Sequence, residues 1–466
     1  MASKRDLVDA HGYNRRRLVA AFVSGAPAGR DVESVSRARP VVAGAAIAAL
    51  LLGGSALTGV FTSPLQDGWS DAHVVIARQS AARFVSAKGK LYPVLNATSA
   101  RLMLPAQTGY RVIVVDDDKI ASTERGEPRG IIGAPDDLPP ANALLPTGWV
   151  SCLAKGEIRT TVRSAPAPAR AAAPNSGAEE PGRLVSSAGQ TWLVARGQRF
   201  AVPPASAAAL QRELRLDRSE IMPVPGSWLD LLSNGPQLRL VVPGRGQPIP
   251  PDAPAGLAMG GKVTAIGQVV GVAHADGGTA YGLIVPDGTV QLTPFAAAVY
   301  RAQEPTLGQP IPVTPADLAA VAPSPRSREA YPTLWPEALP TPTDGVLCAV
   351  LDSPGGDRPP GSRLVVVADD DPLATAPVGA RVEPGRGALV RVNSTGAPAG
   401  PVYVIEQSGR KFAIVDPSEE TLARLGYSAV TPGVVPGPWI LLFPSGPALS
   451  EAAALRSPGS PAAEGP

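Results

Sequence analysis

Residues Val41–Phe61 read VVAGAAIAALLLGGSALTGVF, an apolar run without a charged side chain. As a helix rising about 1.5 Å per residue, such a run covers the ~30 Å hydrocarbon core of a bilayer. A helix also satisfies its own backbone hydrogen bonds, as lipid requires. We therefore predict a single transmembrane helix at residues 41–61. A cleaved signal peptide is the alternative, but its apolar region would be shorter, about 7–15 residues, and would end in an Ala-x-Ala-like site.

The charges that flank this run predict its orientation. Residues 1–40 carry eight basic and four acidic side chains, and Arg37 and Arg39 abut the apolar run. By the positive-inside rule, residues 1–40 form a basic cytoplasmic tail and residues 62–450 form an exoplasmic domain of the cell membrane. Residues 451–466 are predicted to be a disordered tail. The net charge of the whole chain is only +2. The exoplasmic part is therefore nearly neutral, which argues against a nucleic-acid partner.

The cytoplasmic tail contains a basic amphipathic segment, DLVDAHGYNRRRLVAAFVSG, at residues 6–25. Arg15, Arg16 and Arg17 lie beside apolar side chains that a helix would gather into a stripe. Spacing alone leaves two interpretations open, which are a helix on anionic lipid and a docking site for a cytoplasmic partner.

The chain has two cysteines, Cys152 and Cys348, and both lie in the predicted exoplasmic part. An oxidising compartment favours a disulfide between them, with two buried free thiols as the alternative. The three histidines are scattered, so no metal site is predicted. Two strand-like runs end in acids, at residues 111–118 and 363–371, and they suggest two core pieces near residues 110–165 and 344–395. The acids are interpreted as solvated strand ends in preference to a cation site.

Internal duplication is the strongest sign of how the exoplasmic part is organised. Residues 192–238 and 403–449 share a Gly turn, a Phe three positions later and a short helix. Each then has a Trp, Trp228 or Trp439, that precedes a Gly-Pro by seven residues and is predicted to lie on an apolar strand. Fainter copies lie at residues 88–104 and 281–302. With only 5% aromatic residues but 53 Pro and 49 Gly, the chain favours short strands and turns. We predict an α+β, β-rich, multi-lobed domain with four small repeats, near residues 85–105, 190–240, 278–304 and 402–450.

One pattern resembles a phosphate-binding loop. Gly256, Gly261 and Lys262 fit the pattern G-x-x-x-x-G-K, but Val263 replaces the Ser or Thr that would bind Mg²⁺, and the following residues are strand-like. It is a weak nucleotide-site candidate. We identify no catalytic set among the Ser, His and Asp residues.

The sequence resembles the EccB family, a membrane component of type VII (ESX) secretion systems. The resemblance rests on the tail segment before the single span, on AKGKLYPVLNATSARLML (87–104), on the two cysteine segments, and on GRKFAIVDPSEETLARLGY (409–427). It implies an oligomeric complex with EccC-, EccD- and EccE-like subunits, and self-association of the exoplasmic domain. It also implies a disulfide-tied core and cell-wall-binding repeats, and it favours docking for Arg15–Arg17. The family carries an ATPase label, which the broken motif at Val263 does not support.

Three functions follow as hypotheses. The first is a non-catalytic structural subunit of the secretion complex that needs no cofactor. The second is a nucleotide hydrolase that uses ATP at Gly256–Lys262, and the third is a stand-alone cell-wall-binding protein.

Overall fold

The computed structural model describes residues 3–25, 42–44, 47, 69–106, 110–121, 123–165, 182–216, 221–275, 277–325, 332, 334–340, 345–352, 361–393 and 400–458. The chain divides into two compact bodies, residues 1–67 and 68–466. The helices, in chain order, are α1 (Lys4–Ser24), α2 (Ala97–Met103), α3 (Asp117–Ala121), α4 (Ala207–Glu213), α5 (Gly226–Leu229), α6 (Pro294–Gln303), α7 (Pro315–Ala319), α8 (Glu419–Leu425), α9 (Gly437–Leu441) and α10 (Glu451–Ala454).

The strands are short, as the Pro and Gly content predicts. In chain order they are β1 (His73–Ala77), β2 (Arg83–Ala87), β3 (Lys90–Pro93), β4 (Val112–Val115), β5 (Trp149–Ala154), β6 (Glu157–Val162), β7 (Gly182–Ser187), β8 (Gln190–Ala195), β9 (Gln198–Ala201), β10 (Met222–Pro223), β11 (Ser233–Asn234), β12 (Val269–Ala273), β13 (Thr279–Val285), β14 (Gly288–Leu292), β15 (Ile311–Pro312), β16 (Val346–Asp352), β17 (Gly361–Val367), β18 (Gly379–Val382), β19 (Ala388–Asn393), β20 (Val402–Ile405), β21 (Lys411–Ile414) and β22 (Gly433–Pro436).

The N-terminal body contains α1, whose ends are both capped. The Ser3 hydroxyl accepts a hydrogen bond from the Asp6 N–H, and the Asp6 carboxylate accepts one from the Ser3 N–H in return. The helix ends at Gly25, which adopts a left-handed conformation that glycine tolerates. In the described part of the chain, we find no helix long and apolar enough to cross a bilayer. The predicted span at 41–61 lies outside the described residues except for 42–44 and 47, which are helical.

Four small sheets formed by residues 68–466 share one topology. In each, the first three strands form an antiparallel meander, a helix follows, and the fourth strand pairs in parallel with the first. We name them the first unit (β1–β4), second unit (β7–β10, with β11 added beside β9), third unit (β12–β15) and fourth unit (β19–β22). The helices after their third strands are α2, α4, α6 and α8, respectively.

A fifth sheet lies at the centre, with strand order β17-β16-β5-β6-β18. The hairpins β5–β6 and β16–β17 pair in antiparallel fashion through β5 and β16, and β18 adds in parallel to β6. All six residues of β5 are buried, and so are the first six of β16. Strands covered on both faces form such continuous apolar runs.

Several segments lie elsewhere than the sequence predicts. Residues 112–115, assigned to a core piece, form β4 of the first unit, and residues 388–393 form β19 of the fourth unit. Each small sheet also begins before its predicted repeat, because the predicted repeat omits the first strand of the meander. Trp228 and Trp439, predicted on strands, lie in α5 and α9. There the preceding prolines act as N-caps of short helices, so the chain turns where an extended strand was expected.

The segment predicted as a disordered tail begins with α10, which Ser450 caps and which buries Ala454 completely. This helix packs against α2 of the first unit. Beyond it, the Gly130 N–H donates to the Arg456 carbonyl at 3.1 Å. The Ser457 hydroxyl donates to Glu127 at 2.8 Å. The last described residues therefore join the fourth unit to the first.

Candidate functional site

The central sheet contains a disulfide between Cys152 and Cys348, which are 196 residues apart in sequence. The two residues are direct partners across β5 and β16, and both are fully buried. The predicted disulfide is therefore confirmed. It lies on one face of the central sheet, where Leu373 and Ala374 pack beside it.

The opposite face of the central sheet is covered by two tryptophans from different units. Trp228 of α5 and Trp439 of α9 join Trp149 of β5 in one apolar cluster. The Trp228 indole N–H donates to the Ser151 carbonyl at 3.0 Å, and the Trp439 indole N–H donates to the Ser362 hydroxyl at 3.1 Å. These bonds give two buried indoles a polar partner and tie the second and fourth units to the sheet.

Lys411, in the fourth unit, is a buried cation that the sequence analysis did not single out. Its side-chain ammonium donates to the Ile440 carbonyl at 2.6 Å and lies 5.9 Å from the centre of the Tyr403 ring. Burial lowers the pKa of Lys411 from its ordinary value. The matching residue in the second unit, Arg199, pairs instead with Asp230 at 2.6 Å. The signal was present as a basic residue two positions after the Gly turn in the two clearest predicted repeats.

The tail arginines are presented on a helix, as the sequence predicts. Arg15, Arg16 and Arg17 are exposed on α1. The Arg16 side chain also donates to the Gly12 carbonyl at 3.2 Å. Large apolar side chains of the same helix are exposed as well, among them Phe22 at 91%. The exposed apolar set is Leu7, Val8, Tyr13, Leu18, Val19, Phe22 and Val23. A basic helix with exposed apolar side chains suits either a partner protein or an anionic lipid surface.

The residues of the weak nucleotide motif do not form a phosphate-binding loop. Gly256 and Gly261 have positive φ angles of 84° and 86°, and Met259–Gly261 is a short 3-10 turn. Lys262 pairs with Asp317 of α7 at 3.1 Å. The chain then continues to β12, which begins at Val269. A phosphate there would lack the helix N-terminus that such a loop requires after its Lys.

The acidic runs take part in local turns. Asp116 pairs with Arg78 at 3.1 Å, and a hydrogen bond from Ser80 is the main cause that lowers the pKa of Asp117. In the second run, Asp371 accepts the Leu373 N–H at 2.7 Å. Across the described ranges, no three His, Cys, Asp or Glu side chains gather as ligands for a metal ion.

These features define a class of protein that combines small β-rich units, a disulfide-linked sheet and an exposed helix with basic and apolar side chains. The sequence model of the family described as "Type VII secretion system ESX-1, transport TM domain B" matches residues 1–461. The chain belongs to this EccB family of type VII secretion systems, and the predicted resemblance is confirmed.

Individual relatives agree with this assignment. The chain is 30% identical to the protein named ESX-2 secretion system ATPase EccB2 of Mycobacterium tuberculosis, over 83% of this chain and 81% of the relative. It is 27% identical to the protein named ESX-3 secretion system ATPase EccB3 of Mycolicibacterium smegmatis, over 97% of this chain and 91% of the relative.

Two solved structures share the fold at 24% identity. A chain of an intact ESX-5 inner membrane complex matches with a TM-score of 0.63, over 100% of this chain and 98% of that one. A chain of an EccB3 dimer from an ESX-3 core complex matches with a TM-score of 0.62, over 82% of this chain and 100% of that one.

Proposed function

We propose that this chain is a non-catalytic structural subunit of a type VII secretion membrane complex, which supports protein export across the cell membrane. The observation that carries the proposal is the family match over residues 1–461, which takes in both α1 and the whole five-sheet body. A family in which the tail and the body occur together suits a subunit that connects two sides of a membrane.

Residues 41–61 form the one transmembrane helix in this proposal. Residues 1–40 then face the cytoplasm, and the body from residue 62 faces outward. The disulfide supports this orientation, because disulfides persist outside the reducing cytoplasm. A reporter that is active only outside the cytoplasm, fused after residue 458, should be active. Activity at the same position of a reporter that works only in the cytoplasm would contradict the orientation.

The four small sheets are copies of one repeat in this proposal. Their shared strand order and parallel fourth strand support duplication. Small β-units set around a central sheet expose a large contact surface, which serves assembly with other copies and with the cell wall.

EccC-, EccD- and EccE-like subunits are the expected partners, with Arg15–Arg17 on α1 as the cytoplasmic docking element. Affinity purification of the full-length chain from detergent-solubilised membranes, followed by native gel electrophoresis and mass spectrometry, tests this directly. We expect a complex that contains these partners. Recovery of the chain only as a free monomer would oppose the proposal.

Nucleotide hydrolysis is the second candidate function. It is favoured only by the word ATPase in the names of the relatives. The geometry at Gly256–Lys262 favours the structural role, because the Lys is paired with Asp317 and a strand follows.

A further inference from the structure

Three of the four units hold an aromatic ring against a glycine at the same place in the fold. The N–H of this glycine donates to the carbonyl of the residue just before the ring, at 3.0, 2.9 and 2.7 Å in the first, second and fourth units. A Cβ on any of these glycines would overlap the ring. The pairs are Tyr92 with Gly126, Phe200 with Gly235, and Phe412 with Gly446.

The third unit departs from this pattern at both positions. There the equivalent hydrogen bond runs from the Ser324 N–H to the Thr289 carbonyl at 2.8 Å. Val290 therefore stands where the other units have a ring, and Ser324 stands where they have glycine. The two changes fit each other, because the smaller Val side chain leaves room for the Cβ of Ser324.

A cavity of about 330 Å³ opens at this position, with Val290 and Ser324 in its wall. Its lining is mostly aliphatic, with one carboxylate at Asp287, which accepts a hydrogen bond from the Ser324 hydroxyl at 2.8 Å. Apolar cavities of about 150 Å³ already bind benzene. The remaining lining residues are Leu240, Val241, Val242, Pro243, Leu283, Val285 and Pro286.

We propose that this cavity is a docking pocket for an aromatic side chain of a different polypeptide. The other units show that this place in the fold receives a phenyl ring, and Val241, which is 70% exposed, provides an accessible apolar rim. The described residues of a second copy are poor donors, because its exposed Tyr13 and Phe22 lie on α1 and face the cytoplasm in the orientation proposed above. Among the described residues of the 68–466 body, Tyr110 is the one aromatic side chain in the exposed class, and Arg101 stacks on it at 4.7 Å.

The test uses the full-length chain in lipid nanodiscs and ligand-detected NMR with N-acetyl-phenylalaninamide as the probe. The double variant Val290→Phe/Ser324→Gly restores the pattern of the other units and fills the pocket with its own ring. We expect the probe signal to fall at least tenfold in this variant. We expect the single variant Ser324→Gly to keep the signal, because it leaves the pocket open. N-acetyl-alaninamide should give no signal with either protein.

A second variant keeps the test decisive if the double variant folds poorly. Val241→Glu places a charge on the rim without disturbing the core, and it should also abolish binding. Val415→Glu, at a similarly exposed position of the fourth unit, is the matched control and should bind normally. Equal signals from the parent chain and the Val241→Glu variant, or no signal from the parent chain, would overturn the proposal.

The origin of the ring is tested in intact membranes. A photo-crosslinking amino acid at Val241 should give an adduct with a different polypeptide, and this adduct should disappear in the pocket-filling variant. An adduct only with a second copy, or no adduct at all, would refute docking by a different chain. The pocket itself is independent of the proposed export role, so the probe experiment can succeed even where the export role fails.

Discussion

Removal of the disulfide should substantially destabilise the body formed by residues 68–466. In the double variant Cys152→Ala/Cys348→Ala, the unfolded chain regains the freedom of a loop that spans 196 residues of sequence. The loop-entropy model gives about 5 kcal/mol for a loop of this length. The measured free energy of unfolding should fall by about 2–5 kcal/mol, which is the usual cost of removing a native disulfide.

The assay is guanidinium unfolding of the full-length protein in detergent, followed by fluorescence of the buried tryptophans. Val150→Ala is the control, since Val150 is also fully buried and packs in the same cluster as the disulfide. It should cost about 2 kcal/mol through lost packing alone. The disulfide variant should also show a steeper dependence on denaturant, because an uncrosslinked unfolded chain exposes more surface. An unchanged midpoint together with an unchanged slope would refute the reasoning.

Four further predictions follow from the structure. Trp228→Phe keeps an aromatic ring but leaves a buried carbonyl without its indole donor, so the free energy of unfolding should fall by about 1–3 kcal/mol in the same assay; no change would mean that the indole bond is unimportant. Lys262→Ala should leave export and folding unchanged, because its ion pair with Asp317 is solvent-exposed and screened; lost export with normal folding would instead favour the nucleotide site. Charge reversal at Arg15–Arg17 should reduce co-purification of partner subunits, and a full yield would argue against docking there. Burial raises the pKa of Tyr300 to about 12 from a usual value near 10. The unfolded chain therefore loses this proton first, so stability should fall between about pH 10 and pH 12, and Tyr300→Phe should lessen that fall in denaturation measured across this range.

Local signals in the sequence predict part of this structure well. The Gly turns in the repeats predict the hairpins β8–β9 and β20–β21, because a turn and its two strands are close in sequence. Cys152 and Cys348 are the only cysteines, so the pairing needs no choice among partners. The basic tail helix is also predicted from its spacing, and α1 is present.

Long-range pairing limits what the sequence predicts. The run at residues 112–115 resembles β17 of the central sheet, yet it pairs with β1 of the first unit. Nothing local distinguishes two apolar runs of this kind, because their partners lie in distant parts of the chain. The same reason hides the third-unit pocket, since the match between Val290 and Ser324 is visible only once the backbone hydrogen bonds are known.

The contact of α10 and the residues after it with the first unit has a practical consequence for protein engineering. A deletion that begins at Glu451 would strip a packing partner from α2, so the damage would appear some 350 residues upstream of the cut. Affinity tags and reporters are safest when attached after residue 458. A purification handle that replaces the residues after Leu449 would loosen the first unit, and the resulting damage would be misread as a loss of function.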